Sequence, residues 1–381
     1  MKNNKQIKNP FIYGEEVSGE YFCDREEEIR ALLRDIENSE NVIIFSPRRY
    51  GKTSLIKEVL RRAKGFLTFY IDLYPAITKQ KFIEQYASGI SRGLKAKKET
   101  ILQIVKELIP RIIPKVVVTT KNEWKFEFDF DRLKPTGPIL DDLLEAAHKQ
   151  ANKENKKAVV VFDEFQEIAN YEDDEIERKM RSVFQTHHNV SYIFMGSKKH
   201  MMDNLFNNPN RPFYKSGKHF LLGKIKRDAF YTFIEHKFKS AKFDYSKETI
   251  EHILDITECH PYYTQMLCHF IWEESQNRKL TEDTVELAIE KIFSNESSAY
   301  ITTLDNLTQL QKRVLLSLAK EDTATEIFSN EFIKKHNLSS PSSVQKAIRV
   351  LLEKEIIEKN DKNNVYMFID VFFKRWLKEK F

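Results

Sequence analysis

Residues 41–60 read NVIIFSPRRYGKTSLIKEVL, and the reading of this stretch decides the fold. Val42 to Phe45 are four consecutive apolar residues, the run expected of a parallel strand covered on both faces. A tight loop follows from Ser46, after which Leu55, Ile56, Val59 and Leu60 fall on one stripe of a helix. Strand, loop and helix in this order match the phosphate-binding pattern G-x-x-x-x-G-K-S/T. There, backbone N–H groups curl around a phosphate, the Lys neutralises phosphate charge and the hydroxyl holds Mg2+. Gly51, Lys52 and Thr53 fill the last three places. Ser46 stands where the first Gly usually sits, a departure because Gly serves positions needing a positive φ or close backbone approach. The candidate phosphate-binding residues are therefore Ser46, Pro47, Arg48, Arg49, Tyr50, Gly51, Lys52, Thr53 and Ser54, with the partial positive charge of a helix N-terminus behind them.

A second apolar run, AVVVFDE at residues 158–164, ends in two acids. This is a Walker B pattern. At a strand's carboxyl end Asp163 can hold Mg2+ through its water shell, together with Thr53, and Glu164 can orient and deprotonate an attacking water. Taken singly, a GKT turn can arise by chance and paired acids can be a solvated turn; both motifs in this order point to one nucleotide site.

Composition bounds the alternatives. With 381 residues, 41% hydrophobic and 12% aromatic, the chain can bury sizeable cores in two or three domains. Its most apolar long run, residues 101–118, carries Lys106, Glu107, Arg111, Lys115 and two prolines, so it does not read as a bilayer span. MKNNKQIKNP at the start has no apolar core for a secretory signal. Cys23, Cys259 and Cys268 lack metal spacing, which fits a reducing cytoplasm. The net charge of +5 is compatible with nucleic acid and does not argue for it.

In chain order, NPFIYGEEVSGE at residues 9–20 is a glycine-punctuated arm before a helix over about residues 25–36. Phe11, Tyr13, Phe22 and Arg25 either wall an adenine pocket or anchor the arm to a core. A second strand is expected at residues 66–73. Residues 75–155 then hold helical patterns and the segment KNEWKFEFDFD, in which Trp124, Phe126, Phe128 and Phe130 alternate with polar residues as in a half-buried strand. This insertion offers either a packed sheet face or a docking surface for a protein partner. Past the acids come a helix around residues 176–184, a strand at 191–195 and Gly196-Ser197-Lys198. Ser197 either touches a γ-phosphate or caps a helix. In the loop NNPNRPFYKSG, Arg211 either reaches transition-state charge, in its own site or a neighbouring subunit's, or is a solvated surface residue. Phe220 to Leu222 make a fifth strand.

From Lys226 the pattern is helical, with stripes at Phe230, Phe233, Ile234 and Phe238; at Ile250, Ile253 and Leu254 after Ser246; at Met266, Leu267, Phe270 and Ile271 after Pro261; and from Thr281 through Val285, Ile289 and Ile292. The tail from about residue 302 reads as a winged helix. Its helices run from Leu310 to Leu318, through Phe332 and Ile333, and from Ser340 and Pro341. The third would bury Val344, Ile348, Leu351 and Leu352 and turn Ser343, Gln345, Lys346 and Arg349 outward; a hairpin at 356–359 and 365–369 with a turn at 361–364 forms the wing. Two basic residues are a thin footprint for duplex DNA, so contact with DNA stays open beside contact with protein or autoinhibitory packing.

The segments FCDREEEI, SPRRYGKTSL, VVVFDEFQEI, GSKKHMMDNLF and RPFYKSG, the HPYY turn and the winged helix resemble the archaeal-type ATP-binding proteins, an AAA-like branch of P-loop ATPases close to the STAND class. The resemblance covers nearly the whole chain. It implies an α/β fold with a parallel P-loop NTPase sheet of order 5-1-4-3-2, a helical lid, ATP and Mg2+ binding, and hydrolysis. STAND-type lids contact the base through a GxP turn; Cys259 stands at that Gly, and the contact passes to Pro261. Three domains are expected: residues 1–223, with the arm and the insertion, the lid at 224–300, and the winged helix at 301–381. The expected protein is a cytoplasmic ATPase acting as a nucleotide-driven switch or motor, able to form a homo-oligomer and with no membrane association. Lys52, Glu164 and Arg211 are its catalytic candidates. Thr53 and Asp163 would hold the metal, and Ser197, Arg25 and Pro261 would join the loop residues at the nucleotide. A DNA-binding regulator with little turnover and a protein-recruiting adaptor are the alternatives.

Overall fold

The computed structural model describes residues 8–118, 124–129, 137–275, 277–321, 324–360 and 363–381. Two compact units divide the chain, residues 25–223 and residues 1–24 with 224–381. Each has its own hydrophobic core.

The first unit runs α1 (Glu26–Glu37), β1 (Val42–Phe45), α2 (Lys52–Arg62), β2 (Leu67–Asp72), α3 (Lys79–Gly93), α4 (Lys98–Leu108), β3 (Ile113–Val118), β4 (Trp124–Asp129), α5 (Gly137–Glu154), β5 (Ala158–Asp163), α6 (Glu175–Phe184), β6 (Val190–Gly196), α7 (Lys199–Asn207) and β7 (Lys218–Leu221). Its sheet is parallel and ordered β2-β5-β6-β1-β7, so the five sheet strands, counted along the chain, stand as 5-1-4-3-2. Every residue of β5 and β6 is buried, as unbroken apolar runs require when helices cover both faces of a sheet. At the edge, β7 begins at Lys218 rather than at Phe220, because an edge strand pairs through its backbone while exposing polar side chains. The carboxyl ends of β1, β5 and β6 lie side by side, the place where open parallel sheets bind ligands.

Between β2 and β5 lies the insertion. Phe126 and Phe128 on β4 are buried while Glu127 and Asp129 are exposed, which is the alternation legible in the sequence. Both rings are spent on the core, so they do not form a docking stripe; Phe130 and the side chain of Trp124 lie outside the described residues. The antiparallel partner of β4 is β3, within a run that read as helical. Helix α4 stops at Leu108, two residues before Pro110, and prolines end helices by removing a donor and crowding the preceding turn.

In the second unit α8 (Arg227–Ser240), the short strand β8 (Asp244–Tyr245), α9 (Lys247–Thr257), α10 (Pro261–Glu274), the short strand β9 (Lys279–Leu280) and α11 (Glu282–Asp305) precede α12 (Gln309–Lys320), α13 (Asn330–Lys335), α14 (Pro341–Glu353), the antiparallel pair β10 (Ile357–Asn360) and β11 (Val365–Phe368), and α15 (Val371–Lys380). Ser246 and Thr281, where helices were expected to start, cap them, each accepting from a backbone N–H three residues on. Helix α11 passes unbroken through the boundary expected near residue 300, so the helical and winged-helix regions share one element and one core. Val344, Ile348 and Leu351 are buried on α14, with Gln345, Lys346 and Arg349 exposed; Ser343 is only half-buried because its N–H serves the Ser340 cap. Asp361 and Lys362 of the expected wing turn lie outside the described residues. The amino-terminal arm, read as part of the ATPase domain, packs on this second unit instead. Phe11 is 1% exposed against Phe233, Phe238 and Trp272, and Tyr13 meets Tyr262, His269 and Phe270. Among the described residues no helix is long and apolar enough to cross a membrane.

Candidate functional site

The loop after β1 turns through two left-handed residues, Arg49 (φ 67°) and Gly51 (φ 84°). A Cβ on Gly51 would meet nothing within 4 Å, so glycine is required there by its dihedral rather than by crowding. Ser46 is fully buried at ordinary negative φ, and its hydroxyl donates to the Pro47 carbonyl at 3.1 Å. The place usually held by the first Gly thus makes no left-handed demand in this chain. Lys52 opens α2 and folds back into the curl of the loop, its Nζ donating to the carbonyls of Ser46 at 2.7 Å and Pro47 at 3.0 Å. Behind the loop, the buried Arg25 donates to the carbonyls of Tyr50 at 3.4 Å and Gly223 at 2.8 Å and pairs with Glu28 at 3.0 Å. Its guanidinium braces the loop from the protein side.

Asp163 ends β5 beside this loop. Its Oδ2 accepts from Thr53 Oγ1 at 3.2 Å and from the Tyr70 hydroxyl on β2, while Oδ1 accepts from the Glu164 N–H at 2.9 Å. Burial raises the Asp163 carboxyl above the usual range, the Tyr70 bond opposes that rise, the Glu164 charge adds to it, and Lys52 lowers it. Glu164 leaves the strand in a left-handed conformation (φ 50°) that starts the 3-10 turn Phe165–Asn170. Its Oε2 accepts from Ser197 Oγ at 2.9 Å and from the Gln166 amide. Two carboxylates, three hydroxyls and an ammonium therefore meet at the carboxyl ends of neighbouring strands. The hydroxyl and carboxylate oxygens of Thr53 and Asp163 are the donor set that a hard divalent cation takes, so the residues fit Mg2+.

Tyr70 and Gln166 did not stand out in the sequence. Gln166 is wholly buried two residues after the acids, where it reads as the start of the next helix, and Tyr70 reads as one more strand aromatic. Only strand register could have flagged Tyr70, because β2 must be known to lie beside β5. Arg211 is bonded elsewhere: its guanidinium pairs with the buried Glu177 of α6, and it lines a groove of about 370 Å3 with Arg178 and Arg181. Pro261 occupies the first turn of α10 in the second unit, behind the His260 cap, whose ring accepts from the Tyr262 N–H at 3.2 Å. Phe11 and Tyr13 are anchors of the arm rather than walls of a base pocket, since the aromatic core of the second unit takes up their surface.

A glycine-lysine-threonine loop feeding a helix, paired acids on an adjacent buried strand and a 5-1-4-3-2 sheet define a P-loop ATPase. The chain belongs to the family of ATPase domains found predominantly in Archaea, whose profile matches residues 22–267, and residues 298–379 match a probable winged helix domain. Over 154 residues, 39% of the chain, it is 32% identical to an uncharacterized ATP-binding protein of Pyrococcus horikoshii, and that stretch spans 44% of the relative's length. Among solved structures, the Walker-type ATPase of Pyrococcus abyssi superposes with TM-score 0.67 at 16% identity, covering 97% of this chain and 99% of that one. The ORC2 protein of Aeropyrum pernix, solved in ADPNP and ADP complexes, gives 0.59 at 13% identity, covering 98% and 96%. At these identities the two structures show a shared fold.

Proposed function

We propose that this protein binds ATP with Mg2+, hydrolyses it and works as a nucleotide-driven switch or motor. One observation carries the reading: the Thr53–Asp163 bond at 3.2 Å and the Ser197–Glu164 bond at 2.9 Å join the phosphate loop, β5 and β6 into one site. In this reading the backbone amides of residues 50–54 and the Lys52 ammonium hold the phosphates, with Lys52 exchanging two loop carbonyls for phosphate oxygens. Thr53 and Asp163 hold Mg2+, which when bound neutralises charge on the β- and γ-phosphate oxygens. Ser197 and Gln166 both donate to Oε2 of Glu164, leaving Oε1 to accept a proton from water, the geometry a general base needs. Because Ser197 holds the base directly, a phosphate that draws on its hydroxyl alters the base in the same step. Arg211 can serve transition-state charge only after leaving Glu177. The name of the Pyrococcus horikoshii relative, an ATP-binding protein, agrees with this reading. For the winged helix, the exposed Lys346 and Arg349 on α14 offer two candidate contacts to DNA phosphates, Arg349 lying 3.7 Å from Glu353.

Paired variants test the assignment. Lys52→Ala is expected to weaken ATP binding at least tenfold. Glu164→Gln is expected to keep ATP affinity and to lower the hydrolysis rate by about 100-fold or more, the scale of a lost general base. Hydrolysis by purified Glu164→Gln protein at the parent rate overturns the role given to Glu164.

A further inference from the structure

Asp163 is fixed from three sides, and one of its donors belongs to neither motif. Strands β2 and β5 run parallel with Tyr70 opposite Val161 and Asp72 opposite Asp163, so Tyr70 and Asp163 lie on one face of the sheet, two residues apart along the strand direction. The phenol spans that diagonal and donates to Asp163 Oδ2, the same oxygen that accepts from Thr53. Its ring is held in turn by the Lys57 ammonium, 5.4 Å from the ring centroid and one helical turn beyond Thr53 on α2. Facing a carboxylate oxygen, which can only accept, the phenol hydroxyl is the donor of this bond. Without it Oδ2 would keep the 3.2 Å bond from Thr53 and Oδ1 the bond from the Glu164 N–H, a looser hold on the carboxylate's orientation.

We propose that Tyr70 is a positioning residue of the metal site: its hydroxyl, brought in on the neighbouring strand, holds the Asp163 carboxylate toward Thr53 in the orientation that receives Mg2+. The proposal rests on the reading of Asp163 as a metal-holding group. Partners that orient a metal-holding carboxylate typically account for 10–100-fold in metal affinity. The Tyr70 hydroxyl bonds Asp163 and adjoins the Thr53 hydroxyl, the two groups read as holding the metal, so its removal should spare metal-free nucleotide binding, which rests on Lys52 and the loop amides.

The test is a fluorescent ATP analogue titrated into full-length protein in EDTA, followed by a Mg2+ titration of the complex, for the parent, Tyr70→Phe and Asp163→Asn. Tyr70→Phe is expected to bind the analogue in EDTA within twofold of the parent and to need about tenfold more Mg2+ at the midpoint. Asp163→Asn should move that midpoint at least as far. A Tyr70→Phe midpoint equal to the parent's, with Asp163→Asn shifted, overturns the role of Tyr70 and leaves the metal site standing. If Asp163→Asn is also unshifted, the metal-site reading fails with it. A Tyr70→Phe protein that does not fold, or loses nucleotide in EDTA, makes the hydroxyl a structural one and also overturns the proposal.

Discussion

Two buried carboxylates of the first unit are kept in opposite ways. Asp163 has donors on both oxygens, whereas Glu177 has Arg211 on Oε1 and, among the described residues, no partner on the buried Oε2. Burial outweighs the Arg211 attraction at Glu177 and pushes its carboxyl up to about 7. In the unfolded chain this group ionises near the ordinary glutamate value, so between that value and about 7 the folded protein binds the extra proton and stability falls as pH rises. Glu177→Gln removes the titration. Thermal melts from about pH 5 to about pH 8 should show the parent losing on the order of 1–3 kcal/mol relative to the variant, and parallel curves would contradict it. That Lys52, Thr53, Asp163, Glu164 and Ser197 come together at neighbouring strand ends was legible in the sequence, because a strand end leaves a local pattern of residue types. Tyr70, Gln166 and the Glu177 partner of Arg211 were not, since each contact is made across elements whose pairing no short motif records.

Among the elements, those with a strong period or a cap were readable, and the helix starts at Ser246 and Thr281 fell where expected. Helix α15 was passed over although Asp370 caps it, accepting from the Phe372 and Phe373 N–H groups at 2.9 Å. Its aromatic run, with Trp376 and Leu377 one turn on, merges with the hairpin before it, and packing against α11 and α12 decides its state. Strand β3 was hidden in the same way, an apolar stretch whose state is set by pairing with β4. Helix α14 carries the functional expectation at this scale. If the winged helix engages DNA as proposed, two phosphate contacts from Lys346 and Arg349 would give a slope of about −1.8 in log affinity for duplex DNA against log salt. Replacing both with Ala should flatten the measured slope by about that amount; an unchanged slope assigns the exposed face of α14 to another partner.

For the whole molecule, three domains were expected; the first expected boundary, from the shift to helices near Lys226, coincides with the division of the two units after Gly223, and the core that owns the arm was not legible. Phe11 and Tyr13 precede the ATPase unit in sequence, yet their rings complete an aromatic core built from residues more than 200 positions later, a pairing that only the folded chain reveals. The winged-helix match begins at residue 298, near the expected boundary, but no Gly or Pro interrupts residues 282–305, so α11 runs through it without a break. The account as a whole depends on one pocket at the carboxyl ends of β1, β5 and β6. Its most direct test is a crystal structure of the Glu164→Gln protein with ATP and Mg2+. The account predicts a triphosphate in the curl of residues 46–53, Lys52 Nζ moved from the Ser46 and Pro47 carbonyls to phosphate oxygens, and metal density beside Thr53 and Asp163. Nucleotide bound elsewhere, with Lys52 still on those carbonyls, would contradict it.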